Sequence, residues 1–260
     1  MGLKASPPKV LVVGAGFLGS EVARQAQAGG WSVHAIVRSE ATAVELRGHG
    51  MNVVATDATR PEFWEGLSGQ WGGLVWAMAP SREAGGGDFE TMHREGAVRA
   101  AQWARTSHVP MVYLSSTSVY AEANGGWVNE ESALATDERS RAMIEAEGKT
   151  IEAGGTVLRC AGLYGGDRIL RNRAEGPERW LNVVNREDAA RAVGVALRVR
   201  GKTFNVAEDE PLRRGVAGGV WGEGSARMRR SKRVSNAKLK REGWAPVYQA
   251  GVKDSIHPTA

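Results

Sequence analysis

The segment Val10-Leu11-Val12-Val13-Gly14-Ala15-Gly16-Phe17-Leu18-Gly19 narrows the folds open to this chain more than any other. Four consecutive apolar, mostly β-branched residues leave no polar face, which suits a strand buried on both sides in a parallel sheet. The run passes directly into G-x-G-x-x-G, and Phe17 to Ala28 is helical in composition and closes at Gly29-Gly30. That context makes the glycine pattern informative. Gly14 permits a tight turn, Gly16 lets the backbone approach a pyrophosphate, and Gly19 lets helix and strand close together. The amino terminus of the helix then faces the phosphates, with Phe17 and Leu18 in the loop that holds them.

The same alternation continues along the chain. Strands are predicted at Trp31 to Val37, Asn52 to Ala55, Leu74 to Met78, Met111 to Leu114 and Thr156 to Cys160. Helices are predicted at Ala41 to Gly48, Phe89 to Ser107, Asp137 to Ala153 and Arg186 to Arg198. This rhythm implies an α/β fold, a doubly wound parallel sheet of Rossmann type, with ligands at the strand carboxyl ends. One globular unit over residues 1–260 is expected, with residues 165–260 contributing a smaller substrate-side lobe. There the pattern loosens: Gly215 to Gly224 reads as a loop or a short irregular strand, and Ser235 as the cap of a short helix through Lys238 to Arg241.

Composition removes several alternatives. Cys160 is the only cysteine, so neither an intrachain disulfide nor a cysteine-based zinc site can form, and a cytoplasmic or other reducing compartment is expected. The five histidines show no metal-ligand spacing, so no metal is expected. Met1 to Pro8 lacks the apolar run of a signal peptide, and no stretch approaches the ~18 apolar residues of a bilayer span. The net charge of +5 gathers between Arg213 and Arg241, and reads as a solvated rim that draws in an anionic cofactor or substrate rather than as a nucleic-acid surface. The expected partners are a small-molecule substrate and, as an assembly option, a second copy of the chain, with no nucleic acid and no membrane.

The end of the second strand bears on which dinucleotide is held. A carboxylate there would bind the ribose hydroxyls of NAD, but the sequence reads Ile36-Val37-Arg38-Ser39, with no acid before Glu40. The Arg38 guanidinium suits a 2′-phosphate, with Ser39 as a second donor, so NADP is favoured and NAD remains open.

Two further segments follow the fifth and sixth strands: Val112-Tyr113-Leu114-Ser115-Ser116-Thr117-Ser118-Val119-Tyr120 and Leu158-Arg159-Cys160-Ala161-Gly162-Leu163-Tyr164-Gly165-Gly166-Asp167-Arg168. With the glycine motif, and with Asn182 to Asp188, Phe204-Asn205-Val206 and Arg233 to Asn236 in that order, the chain resembles the extended short-chain dehydrogenase/reductase superfamily over about residues 9 to 250. The resemblance is closest to atypical members related to nucleotide-sugar epimerases and dehydratases. It implies that Asp57 lies beside the adenine, that Ala77, Met78 and Ala79 pass along the ribose, and that Ser116 holds a substrate oxygen.

The resemblance also implies a Tyr-x-x-x-Lys on the following helix, a proton-transfer tyrosine and the lysine that tunes it. Here those places fall on Asp137 and Arg141, and no tyrosine lies between Tyr120 and Tyr164. Arg141 keeps the cation and can hold ribose or phosphate, but it cannot share in a proton relay. A positioned acid is worth roughly 10²- to 10⁴-fold in rate, and the candidates are Tyr120 and Tyr164, each weighed against simple packing. Cys160 is either a packed thiol or a group beside the nicotinamide. Asp137, Glu130 and Glu131 read first as helix-start acids, and Arg168 and Arg171 either reach a substrate diphosphate or face solvent. The leading expectation is an NADP-dependent oxidoreductase or epimerase/dehydratase-like enzyme acting on a small, nucleotide-linked or free, hydroxy or carbonyl substrate. The alternative is a non-catalytic NADP-binding structural or redox-sensing protein.

Overall fold

In the computed structural model, which describes residues 6–79, 87–170, 179–213 and 231–250, strands and helices alternate from the start. The order is β1 (Lys9–Val13), α1 (Gly19–Ala28), β2 (Ser32–Val37), α2 (Glu40–Gly48), β3 (Asn52–Ala55), α3 (Pro61–Glu65) and β4 (Gly73–Trp76). A long helix follows in three parts: α4 (Gly87–Glu90), a π-helical segment (Thr91–Ala97) and α5 (Val98–Thr106). Next come β5 (Met111–Ser116), β6 (Asn124–Val128), α6 (Glu138–Glu152), β7 (Thr156–Cys160), β8 (Gly162–Tyr164), β9 (Trp180–Leu181), β10 (Val183–Asn185) and α7 (Arg186–Ala196). The last described elements are β11 (Thr203–Val206), β12 (Leu212–Arg213), β13 (Ser231–Val234) and α8 (Ala237–Arg241).

Seven strands form one parallel sheet in the order β11-β7-β5-β4-β1-β2-β3. The order reverses between β1 and β4, the place where an open α/β sheet leaves a crevice at its carboxyl edge. β1 sits in the middle, which is why its apolar run needs no polar face: Val10 to Val13 are each at most 1% exposed. Their side chains alternate across the sheet. Val10 and Val12 join the core formed with α1 and α7, while Leu11 and Val13 join the one formed with α3, α5 and α6. Fully burying each such side chain contributes roughly 1.5–3 kcal/mol.

The predicted strands and long helices are present, most bounds shifting by a residue or two. Three details differ. The helix predicted over Phe89 to Ser107 carries the π turn, which closes onto the sheet at Gly96, where a Cβ would lie 2.7 Å from the Trp76 ring. The cap of α8 is Asn236 rather than Ser235, whose hydroxyl accepts only a long 3.4 Å bond from the Ala237 N–H. Sequence patterning also gives no sign of α3, of β11 at the edge of the main sheet, or of the short strands β6, β8, β9, β10, β12 and β13, which pair two by two outside it. Gly215 to Gly224 and Arg171 lie outside the described residues.

A polar network crosses one side of the sheet. Arg159 on β7 makes a two-pronged bond to Glu147 on α6, and both side chains are nearly inaccessible, at 6% and 5%. Glu147 also accepts from the Ser115 hydroxyl at 2.5 Å. Glu147→Leu, which leaves the guanidinium buried without its carboxylate, is expected to lower the unfolding free energy by about 3–5 kcal/mol. Urea denaturation reads this directly, and a loss below about 1 kcal/mol would mean that the pair is as weak as a solvated surface pair.

Candidate functional site

The loop after β1 is pinned to the ends of three strands. The Gly14 and Ala15 N–H groups both donate to the Ile36 carbonyl of β2, at 2.8 and 3.2 Å, and Ala77 N–H donates to the Val13 carbonyl at 2.8 Å. Gly14 has φ +92°, and a Cβ there would lie 2.5 Å from the Met78 nitrogen. At Gly19 a Cβ would lie 2.2 Å from the Gly14 carbonyl oxygen. Gly16 is the opposite case: a Cβ there would meet nothing within 4 Å, and the residue borders the cleft. The residue before α1, Leu18, provides no side-chain cap, and in the first turn the Ser20 N–H donates to the Gly16 carbonyl at 2.9 Å, which leaves the amino end of the helix next to the glycine loop where a helix favours an anion. These features fit the pyrophosphate of a dinucleotide.

A cleft of about 470 Å³ runs along the carboxyl edge of the sheet, within the usual range for a small-molecule site. Gly14, Gly16, Phe17, Leu18, Ala77, Met78 and Ala79 line it. Arg38, Ser39 and Thr42 line the end near β2. Glu40, the first acid after β2, is paired with Arg47 at 2.5 Å. Asp57 lies between two lining residues, Thr56 and Ala58, with its carboxylate accepting from the N–H and hydroxyl of Thr59. Gly19 serves by packing on Gly14 rather than by lining the cleft.

Ser116, Ser118, Cys160 and Leu163 line the cleft near β5 and β7. The Ser116 hydroxyl accepts from the Ser118 N–H at 3.1 Å, which orients it at the strand end. Burial pushes the Cys160 thiol up to about 12, so it stays protonated at neutral pH. The three other catalytic candidates are placed elsewhere. Tyr120 is fully buried in the core, donating to Asn205 Oδ1 at 2.6 Å and accepting from Arg159 at 3.0 Å. Tyr164 is half-buried beside Glu208 and Asn185, and burial followed by the Glu208 carboxyl pushes its phenol up. Arg141 is 62% exposed beside Glu138 at 3.8 Å.

The physical reason lies in the setting of α6. Asp137 caps it, accepting from the Ser140 N–H at 3.1 Å. With the helix docked through Glu147, the face that meets the cleft carries Arg139 and Met143, one turn apart. Sequence reasoning missed both, together with Phe89, Met92 and His93 from the helix packed beside α6. The four-residue spacings Phe89/His93 and Arg139/Met143 are the only signal it had, and spacing does not say which helix face is turned inward. Arg139 stacks over Phe89 at 3.8 Å, and Phe89 meets His93 edge-on at 4.3 Å.

Comparison with known proteins places this geometry. The TrkA-N domain family matches residues 10–83. No curated protein matches the sequence. Among solved structures, the chain is similar to a conserved protein of unknown function from Silicibacter pomeroyi, at 22% identity and TM-score 0.71, covering 93% of this chain and 94% of that one. It is also similar to ADP-L-glycero-D-manno-heptose-6-epimerase from Helicobacter pylori, at 16% identity and TM-score 0.76, covering 96% and 95%. A third is dTDP-glucose 4,6-dehydratase from Bacillus anthracis in complex with NAD, at 16% identity and TM-score 0.76, covering 95% of each chain. At these identities the likeness is one of fold: the chain has the Rossmann-type architecture of the NAD-dependent epimerases and dehydratases.

Burial and the Arg139 charge hold His93 down at about 4, below the ordinary imidazole value of 6.5. Because its folded value lies below its unfolded one, its contribution to stability is fully present above about pH 6.5 and is lost as pH falls toward 4, by about 1.4 kcal/mol per unit crossed. Thermal unfolding of wild type and His93→Gln in parallel is expected to show a steeper acid loss for wild type in that window. Equal slopes would mean that His93 titrates normally.

Proposed function

We propose that the cleft binds a nicotinamide dinucleotide, NADP in preference to NAD, and that the protein is an oxidoreductase or epimerase/dehydratase-like enzyme acting on a small hydroxy or carbonyl substrate, nucleotide-linked or free. The observation that carries the reading is the pairing of two cleft ends across the glycine loop. Arg38, Ser39 and Thr42 stand at one, with the Glu40 carboxylate paired to Arg47, and Ser116 at the other. Gly14, Gly16, Phe17 and Leu18 would hold the pyrophosphate, with Gly19 closing the loop. Asp57 would lie at the adenine side, and Ala77, Met78 and Ala79 along the ribose.

When bound, the nicotinamide would supply the centre that takes or gives a hydride. In that arrangement Arg38 orients the 2′-phosphate, Ser116 holds a substrate oxygen, and protonated Cys160 packs beside the ring without acting as a nucleophile. Cytoplasmic residence remains part of this proposal. A non-catalytic NADP-binding role is the second reading, and one observation favours it: all four tyrosines are among the described residues, and none lines the cleft.

Calorimetric titration of nucleotide-free protein with NADP(H) and NAD(H) is expected to show preferential NADP(H) binding. Arg38→Ala should remove most of that preference, and an unchanged ratio would take the 2′-phosphate away from Arg38. In a screen of carbonyl compounds with NADPH, Ser116→Ala should lower turnover about 10²-fold, as loss of a transition-state donor does, with NADPH affinity nearly intact. Normal turnover in that variant would remove Ser116 from the active site, and NADPH binding without turnover by wild type would favour the second reading.

A further inference from the structure

His93 lies in the π-helical segment Thr91–Ala97, and such turns inside longer helices recur at functional sites. It is 4% exposed, yet it is part of the cleft wall. Its Nδ1 stands 2.6 Å from the hydroxyl of Tyr113, a fully buried residue of β5. Burial keeps the Tyr113 phenol protonated, and burial with the nearby Arg139 charge keeps the imidazole neutral. Two neutral groups therefore share one bond, and its direction can be decided. Among the described residues, the Tyr113 hydroxyl has no acceptor besides His93 Nδ1, so any other arrangement would strand a phenol proton in a dry core. Tyr113 donates, Nδ1 accepts, and the proton of the ring sits on Nε2. Phe89 and Tyr113, packed edge-on at 4.3 and 6.0 Å, fix the plane of the ring. Nε2 bonds to no protein group among the described residues and is not among the unpartnered polar atoms sealed from solvent, as fits a residue that borders the cleft.

We propose that His93 presents a fixed Nε2–H to the cleft and hydrogen-bonds the carbonyl or hydroxyl oxygen of the substrate. This deepens the reading above and rests on it. The chemistry suits this wall, because none of the tyrosines lines it and a neutral ring N–H supplies the hydrogen-bond donor that a phenol would have given. A neutral imidazole whose other nitrogen is locked as an acceptor is a donor of unchanging protonation. It polarises a carbonyl and steadies charge that develops on the oxygen, without giving up its proton. The substrate class that fits is an aldehyde, ketone or secondary alcohol.

The test uses the full chain labelled with [15N]histidine and saturated with NADP⁺. Long-range 1H–15N spectra are recorded while acetone, and separately propan-2-ol, is titrated, and the His93 signal is assigned by its loss in His93→Gln. The expected result is a neutral Nε2–H tautomer across the neutral range. Its Hε2 resonance should move downfield and saturably with each probe, while those of His34, His49 and His108 stay in place. Tyr113→Phe, which keeps the ring and removes the bond to Nδ1, should mix the two tautomers and weaken the acetone response. An Nδ1–H tautomer overturns the proposal, as does a His93 signal that neither probe moves. Full displacement by NADP⁺ alone also overturns it, by giving the donor to the cofactor. Calorimetry with NADP(H) on the same sample separates the two failures: absence of binding removes the dinucleotide reading, and the acetone response of the free protein then decides His93 on its own.

Discussion

After β1 the chain crosses the carboxyl edge of the sheet with Gly14 against the backbone of Met78, closer than any side chain would allow, and the cleft is defined by that crossing. The Ile36 carbonyl takes both N–H groups at the turn, the Val13 carbonyl takes Ala77, and Gly19 rests on the Gly14 oxygen. Loop, strand ends and the start of α1 are thereby one rigid piece. It exists because β1 is central and apolar on both faces, which fixes where the turn begins. The placement of Arg38 follows from the same bonds, since the strand that delivers it is the one whose last carbonyls anchor the loop and β3.

The opposite wall depends on a second constraint, the charge network inside the sheet. Glu147 binds Arg159 and Ser115, and Arg159 reaches Tyr120, which in turn holds Asn205. These bonds tie α6 to β5, β7 and β11. A buried ion pair stabilises little in itself, but one of its partners cannot be withdrawn without stranding the other. The helix is thus held at one rotation, with Arg139 and Met143 on the cleft and Arg141 in solvent. Tyr120 is occupied in this network, so its phenol is committed to structure rather than to chemistry.

The two walls were unequally legible. The glycine loop, Arg38, Ser39, the ends of β4 and Ser116 could be placed from sequence because each sits within a few residues of a strand whose apolar pattern marks where it stops. Tyr120, Tyr164 and Arg141 could not, since a tyrosine after a strand reads the same whether it turns into a cleft or into a core. Asp137 reads as a helix-start acid and is one, its carboxylate bound to the first turn. The short strands outside the main sheet escaped notice because two- or three-residue pairings such as β9 with β12 have no period to detect.

The sequence by itself determined the layered α/β architecture, the glycine turn and the choice of a guanidinium over a carboxylate at the end of β2, because these depend on local period, turn chemistry and residue type. Only the tertiary structure decided which side chains meet across the cleft. The bond from Tyr113 to His93 joins residues 20 apart, and that from Tyr120 to Asn205 joins residues 85 apart. Such partners are brought together by the stacking of strands and the rotation of docked helices, and that information is carried by no single stretch of chain.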